Sequence, residues 1–366
     1  MCQPPAYAGG SDKTANPQMY GLFIFIAIFC LSFVAVGVYR RWGIANNMLS
    51  VPNERSSHTE PTPHGAGIVI VIICLVTYVP ISWFFFETFS WGYIIGASLI
   101  AAISFVDDFY PLRFHWRLLV QAIAAILLIV DVDTWHGITM LGGLKFGVFG
   151  YVITFFWIVW MVNSYNFMDG IDGLAGLQAV IAAAGWLMLC RILDMHVIYF
   201  FGVSIAAASL GFLVHNMSKS KVFMGDVGSA FLGFTFAALP LLGRNAASKS
   251  PDLLPIAAVL FVWFFLFDSV VTIVRRAIRG EKIWLPHREH LFQLLVLSGF
   301  SHRQVTAFYG LLASLLCVSV LISVRYRDEI GLAMFPVVIL LTSVLLFVCL
   351  KRVLFNRLVN GVTARP

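Results

Sequence analysis

Charge is scarce in this sequence. Only 11% of its 366 residues are Asp, Glu, Lys or Arg, while 60% are apolar and the mean hydropathy is +0.89. A composition this apolar throughout excludes a water-soluble domain. The short alternating segments of a membrane β-barrel are also missing. The six cysteines (Cys2, Cys30, Cys74, Cys190, Cys317 and Cys349) form neither a CxxC pair nor a Cys/His pattern. That argues against a structural zinc site or a disulfide scaffold and reads as small apolar core residues. No tandem repeat or low-complexity linker divides the chain, so one domain is expected from 19 to 353. The polar head over residues 1–18 lacks the basic start of a cleaved signal. It reads as a disordered tail, and 354–366 as a short basic one.

The apolar residues fall into runs of roughly 17–25, the length that spans a hydrocarbon core as a helix. The fold class expected is therefore an all-α polytopic membrane protein. About eleven spans are counted, near 20–38, 66–86, 91–106, 117–131, 147–163, 174–190, 197–214, 228–243, 254–274, 305–324 and 331–350. Eleven spans put the termini on opposite sides. With the N-terminus outside, 17 Lys and Arg residues face the cytoplasm against 7 outside, the bias that orients membrane proteins. The net charge of +6 then belongs to the cytoplasmic face, where it suits anionic headgroups and phosphorylated substrates. A nucleic-acid partner is not expected.

The polar stretches are not scattered over both faces. "NERSSHTEPTPHGAG" (Asn53 to Gly67), "VDDFYPLRFHWR" (Val106 to Arg117), "NSYNFMDGIDGLAG" (Asn163 to Gly176), "HNMSKSKVFMGDVGSAFLG" (His215 to Gly233) and "RRAIRGEKIWLPHREH" (Arg275 to His290) all fall on the cytoplasmic side of this topology. The connections on the other side are short or plain. A single cytoplasmic site assembled from several loops accounts for the bias.

The acids in these stretches are Asp107 and Asp108, adjacent at the end of span 3, then Asp169 and Asp172, three apart, and Asp226 in Gly-Asp-Val-Gly-Ser. Five interfacial carboxylates repel one another unless a cation gathers them. Oxygen ligands of this kind suit Mg²⁺, with Mn²⁺ able to substitute. Magnesium takes only one or two carboxylates besides waters and phosphates, so some of the five must accept a proton or bind hydroxyls. Asp226 or Asp172 alone reads equally well as a helix cap, whereas the adjacent Asp107 and Asp108 at a helix C-terminus oppose the dipole. Gly170, Gly173 and Gly176, and Gly225 and Gly228 around Asp226, let a backbone approach a ligand, though glycine also serves ordinary helix packing. The basic, histidine-bearing loop from Arg275 to His290 suggests a diphosphate lying between it and the acids. Phe223, three residues before Asp226, offers a ring for a base to stack on. Asp268 is a carboxylate inside span 9, a functional candidate by default, with Arg275 or Arg276 as the expected ion-pair partner.

Taken in order, "PNERSSHTEPTPHGAG", "VDDFYPLRFHWRLLVQ", "NSYNFMDGIDGLAG", "VFMGDVGSAFLG" and "PHREHLFQLL" resemble the polyprenyl-phosphate N-acetylhexosamine-1-phosphate transferases. That superfamily includes the enzymes that start O-antigen, enterobacterial common antigen and teichoic acid synthesis, with the muropeptide translocase a more distant member. The likeness covers the chain from Tyr20 to about Val353. It implies transfer of a sugar 1-phosphate from a UDP-N-acetylated sugar to polyprenyl phosphate, with release of UMP, at the bacterial inner membrane. Carried over, Asp107 and Asp108 stand for the pair at the metal and the acceptor phosphate. Asp226 is the principal magnesium ligand, joined by Asp107. Phe223 is the uracil-stacking ring, and Asn166, Asp169, Gly170, Asp172 and Asn216 contact the nucleotide. His287, Arg288 and His290 handle the diphosphate and sugar. Asp107 is the expected general base, by direct attack of the acceptor phosphate rather than through an aspartyl-phosphate. His64 and Ala66 stand where many relatives carry Arg and Gly. Phe292 and Gln293 replace a pair of histidines common in transferases for UDP-GlcNAc, which points to a 6-deoxy amino sugar. Expected partners are the two substrates, membrane lipids and, in a homodimer, a second copy. The rival reading is a secondary transporter of an anionic substrate, whose acids usually lie at mid-membrane.

Overall fold

The computed structural model describes residues 17–50, 60–85, 89–138, 144–217, 219–244, 253–282, 287–327 and 334–360. Thirteen helices are present among them: α1 (Pro17–Ala45), α2 (Ile68–Phe85), α3 (Trp91–Phe109), α4 (Phe114–Val132), α5 (Phe149–Phe167), α6 (Leu174–Ile192), α7 (His196–Asn216), α8 (Gly225–Leu242), α9 (Leu253–Phe261), α10 (Trp263–Ile278), α11 (Leu291–Leu297), α12 (His302–Arg327) and α13 (Met334–Asn360). Two antiparallel ladders of two residues each interrupt the helices. One pairs β1 (Leu49–Ser50) with β2 (Thr62–Pro63), the other β3 (Gly137–Ile138) with β4 (Leu144–Lys145).

The protein is thus an all-α polytopic membrane protein. Among the described residues, seven helices are long and apolar enough to cross a membrane: α1, α3, α4, α6, α7, α8 and α12. The α9–α10 pair, bent by 72° at Val262, makes an eighth if it is one span. The sequence pattern reads this pair as one continuous span, because hydropathy carries no information on direction. Helix α13 continues to Asn360, beyond the expected domain end at Val353. The expected N-terminal tail lies outside the described residues apart from the start of α1.

Burial is distributed as lipid demands. Every residue of α8 from Val227 to Leu242 is buried, and α7 is buried over most of its length. These two helices form the centre, with α1, α2 and α6 against α7 and α3 and α5 against α8. The outer helices instead expose apolar side chains, including Ile26, Val130, Phe149 and Phe156. In water such faces would drive association, whereas in a bilayer they face hydrocarbon.

Close approaches hold the centre. A Cβ on Gly67 of the β2–α2 turn would lie 2.5 Å from Gly228 Cα on α8, so the two backbones touch there. Gly228 is therefore a packing residue rather than a ligand contact. Far from the acid-bearing loops, Ser90 Oγ caps α3 by accepting from Tyr93 N at 3.0 Å. Asp131 of α4 accepts from the Ser90 hydroxyl and from Gly92 N, which ties the α3 and α4 ends together.

Candidate active site

The ends that carry the polar motifs meet at one end of the bundle. The C-terminal ends of α3 and α7, the α5–α6 connection, the N-termini of α8 and α12, and α11 surround a cavity of about 330 Å³. That lies within the roughly 300–1,000 Å³ of small-molecule sites. Its lining includes Asp108, Asp169, Gly170, Asp172, Asn216, Phe223 and Asp226, all expected from the sequence. Ile171 and Gly225 also line it, as do Ser50, His64, Gln293 and His302, four residues not expected as site residues.

Asp108 organises the wall. Its Oδ1 accepts from Asp226 N at 2.8 Å and its Oδ2 from Val227 N at 3.2 Å. A carboxylate from α3 thus caps the N-terminus of α8, where free N–H groups favour a negative charge. Gly225 makes this approach feasible. Its φ is +76°, and a Cβ there would fall 2.6 Å from Asp108 Oδ2. Gly225 serves the turn and the cap and also lines the cavity.

Asp226 is half-buried, with Oδ2 3.0 Å from Arg117 Nη1. Asn166 donates from Nδ2 to Ser229 Oγ at 3.1 Å and also hydrogen-bonds the Asp226 carboxylate, although Asn166 does not itself line the cavity. Asp107 is placed differently from the expectation. Its Oδ1 accepts from Leu112 N at 2.6 Å and its Oδ2 from Arg117 Nη1 at 2.7 Å, so both oxygens are engaged outside the cavity lining. Neighbouring residues at a helix end point about 100° apart, so only one of the adjacent acids can face the site. Arg117, ten residues on, joins Asp107 to Asp226. Nothing in the linear pattern distinguishes it from the other basic residues of that face.

Asp169 and Asp172 also divide their roles. Asp172 accepts from Ser220 N at 3.3 Å and pairs with His302 Nδ1 at 3.4 Å, while Thr306 Oγ1 donates to its carbonyl at 2.8 Å. The Asp169 carboxylate has no hydrogen-bond or ion-pair partner among the described residues. Burial, and then the charges of Asp226, Asp108 and Asp172, push its pKa up to about 8. Asn216 spends its amide on structure. Its Oδ1 accepts from Gly173 N at 2.9 Å and its Nδ2 donates to Ser220 Oγ and Val222 O, which locks Gly173 at φ +77°. Of the three regularly spaced glycines only Gly170 lines the cavity, since Gly176 packs on Leu213. Phe223 is half-buried at the wall. Its backbone is pinned by hydrogen bonds with Pro63 and Ala66, and the residue lines the cavity.

The structure does not bring His287, Arg288 or His290 into this lining. His290 is buried, with Nδ1 3.1 Å from Asp268 Oδ1. Burial, together with the nearby His290 and Arg276, pushes the His287 pKa down to about 4, so this ring is neutral at pH 7 and supplies no cation. The partner expected for Asp268 is also corrected. Arg276 pairs with Glu281 and Glu289, and Arg275 lies 3.7 Å from Glu289. The arginines end α10 on the polar side, whereas Asp268 faces α11 and α12 and takes its partners there. Gln293, noted in the sequence as a departure, lies at the cavity wall, and His302 reaches it from the start of α12. A lone histidine after Ser-Gly-Phe-Ser gives no local signal of this.

Among the described residues no three Asp, Glu, His or Cys side chains already converge as a metal cage. Magnesium needs fewer protein ligands, one or two carboxylates with phosphate and water supplying the rest. The unpartnered Asp169 carboxylate and the half-exposed Asp226 meet that requirement.

Residues 90–244 match the family described as glycosyl transferase family 4. This segment is similar to a family 4 glycosyl transferase domain. It runs from the cap of α3 past the end of α8, so it holds Asp107, Asp108, Arg117, Asp169, Asp172, Asn216, Phe223 and Asp226. Gln293 and His302 lie beyond it. Over a longer stretch the chain is 28% identical, across 321 residues, to a probable undecaprenyl-phosphate N-acetylglucosaminyl 1-phosphate transferase of Bacillus subtilis (strain 168), covering 87% of this chain and 88% of the relative. It is 28% identical over 357 residues to the undecaprenyl-phosphate alpha-N-acetylglucosaminyl 1-phosphate transferase of Salmonella typhi (93% and 92% covered). It is 26% identical over 352 residues to the enzyme of that name in Escherichia coli (strain K12), with the same shares covered.

Proposed function

We propose that the protein transfers an N-acetylated amino-sugar 1-phosphate from a UDP-sugar to undecaprenyl phosphate and releases UMP, the first step of a cell-surface glycan such as O-antigen. The observation that carries this reading is the convergence of Asp108, Asp169, Asp172 and Asp226 with Phe223 on one cavity at one end of a membrane bundle. A transporter would place its acids at mid-membrane. The one described carboxylate buried within a span and not accounted for by the cavity or helix ends, Asp268, is engaged by backbone and side-chain donors.

In the reaction an oxygen of the acceptor phosphate attacks the sugar-bearing phosphorus of the donor. The bond to the bridging oxygen breaks, and UMP leaves in line. Asp226 and Asp169 would hold the Mg²⁺, which supplies charge neutralisation for the diphosphate. Phe223 stacks on the base. Asp108 fixes the α8 N-terminus, and with it Asp226, at the cavity wall by accepting from Asp226 N and Val227 N. Asp107, engaged by Arg117 and Leu112, serves that frame.

The finer topology follows from the same charge bias. Eleven spans are reached if the bent pair, α5 and the shorter apolar stretches of α2 and α13 are counted with the seven qualifying helices. The cavity end then faces the cytoplasm of a bacterial inner membrane. A homodimer is the assembly we allow for. The test is a membrane assay with labelled UDP-GlcNAc, UDP-GalNAc, UDP-FucNAc or UDP-QuiNAc and undecaprenyl phosphate. The relatives' names favour the first donor, while Phe292 and Gln293 favour a 6-deoxy donor. Failure of all four to label lipid and release UMP with magnesium present would end the transferase reading.

A further inference from the structure

We infer that Asp268, remote from the chemistry, is a positioning residue for the donor side of the cavity and acts by fixing the start of α11. The inference rests on the transferase reading above. Asp268 is fully buried on α10, and five groups address its carboxylate. Its Oδ1 accepts from Leu291 N at 2.8 Å and Thr272 Oγ1 at 3.2 Å, and lies 3.1 Å from His290 Nδ1. Its Oδ2 accepts from Phe292 N at 3.1 Å and Tyr309 Oη at 2.8 Å. Neither arginine of α10 is among these partners, since Arg275 and Arg276 are taken by Glu289 and Glu281. The carboxylate therefore gathers backbone amides and side chains from α10, α11 with its N-cap, and α12.

That arrangement has a clear object. Helix α11 has seven residues, too few for its own hydrogen bonds to hold it in place. A carboxylate inside a membrane protein is expensive and persists where it does something. Here it clamps the two amides that begin the helix, and Gln293, the next residue, lines the cavity. The Phe292 ring backs Gly170 so closely that a Cβ there would meet it at 2.9 Å. Gln293 Oε1 accepts from His290 N at 3.2 Å, which turns its Nε2 toward Gly170 and the cavity. The wall thereby presents amide N–H donors suited to oxygen atoms of a nucleotide sugar. Their position depends on Asp268 although Asp268 touches no ligand.

The test uses the full-length protein in nanodiscs. UDP affinity, kcat and the KM for each substrate, with UDP-GlcNAc as donor or whichever panel donor is turned over, are measured alongside Tm. Asp268→Asn offers fewer acceptors to the same donors. Its donor KM should rise by about tenfold or more, because a small misplacement of a wall is felt strongly. The KM for undecaprenyl phosphate should stay within about twofold. Gln293→Ala should act in the same direction, and the double variant should be no worse than the worse single one, as for two changes acting through one element. Tyr309→Phe removes one donor and should show the same split to a smaller degree, which keeps the inference testable if Asp268→Asn does not fold. Fully additive effects, or equal rises in both KM values, would overturn it. A wild-type protein that neither binds UDP nor releases UMP overturns the transferase reading instead. Wild-type turnover with donor KM unchanged in both Asp268→Asn and Tyr309→Phe overturns the inference alone.

Discussion

Arg117 Nη1 lies 3.0 Å from Asp226 Oδ2 and competes directly with any cation for that carboxylate. The same nitrogen holds Asp107 at 2.7 Å. Arg117→Ala removes a positive charge from the acid cluster, so Mg²⁺ should bind about threefold to tenfold more tightly. Turnover should nevertheless fall about tenfold or more, because the acid frame loses its strut. Arg117→Lys should return the magnesium affinity toward wild type. A magnesium titration of turnover, with direct metal binding beside it, reads both effects.

The cap on α8 makes a separate prediction. Asp108→Asn leaves one oxygen where two now accept from Asp226 N and Val227 N. The loss should be about 1 kcal/mol of stability, as for a lost helix cap. Activity should fall far more than stability, since the α8 N-terminus is part of the site. Thermal unfolding in detergent set against specific activity separates the two.

Asp169 predicts a pH dependence. Its folded pKa of about 8 lies above the ordinary carboxylate value of 3.8. A raised pKa means that stability is fully present below about pH 4 and is lost as pH rises through 8. Without magnesium, Tm should therefore fall between pH 5 and 8.5 through this group. Bound Mg²⁺ must displace the proton, so its affinity should rise over the same interval. Asp169→Asn should flatten both trends, and a magnesium titration followed by Tm at several pH values checks the pair.

Gly225→Ala should fold poorly. The position has φ +76°, and the added methyl would lie 2.6 Å from Asp108 Oδ2 and 2.8 Å from Gly65 Cα. Strain of this kind costs about 1–3 kcal/mol. Gly228→Ala should also destabilise, because its methyl would meet Gly67 Cα at 2.7 Å. Yields and Tm of the two variants test the assignment of both glycines to structure.

Phe223→Ala should act on the donor alone. Stacking of a base on an aromatic ring is worth about 1–3 kcal/mol, so the donor KM should rise at least about fivefold with the acceptor KM unchanged. Equal KM values in variant and wild type would return the ring to packing.

Much of the membrane architecture was legible in the sequence, because hydropathy and the length of a span are local properties. The seven acceptable spans and the placing of Asp108, Asp169, Asp172, Asn216, Phe223 and Asp226 around one space follow from runs and motifs. The bend at Val262 was not legible, since two short apolar helices have the composition of one long one. His302 and Gln293 were not expected as wall residues either, because each lies far along the chain from the residues it meets.

Which residue types gather at one end of the bundle was determined by the sequence itself. Apolar runs must cross the lipid, and the acids and glycines between them must fall at its surface. Which acid does what was decided only by the tertiary structure. Asp107 and Asp108 are adjacent in the chain, yet one turns to Arg117 and the other to the α8 amides, since a helix end can aim only one of two neighbours at the cavity. Asp268 faces α11 and α12 rather than the arginines about two turns along its own helix. A buried carboxylate takes whatever donors packing brings within reach, and packing is not written in any single segment.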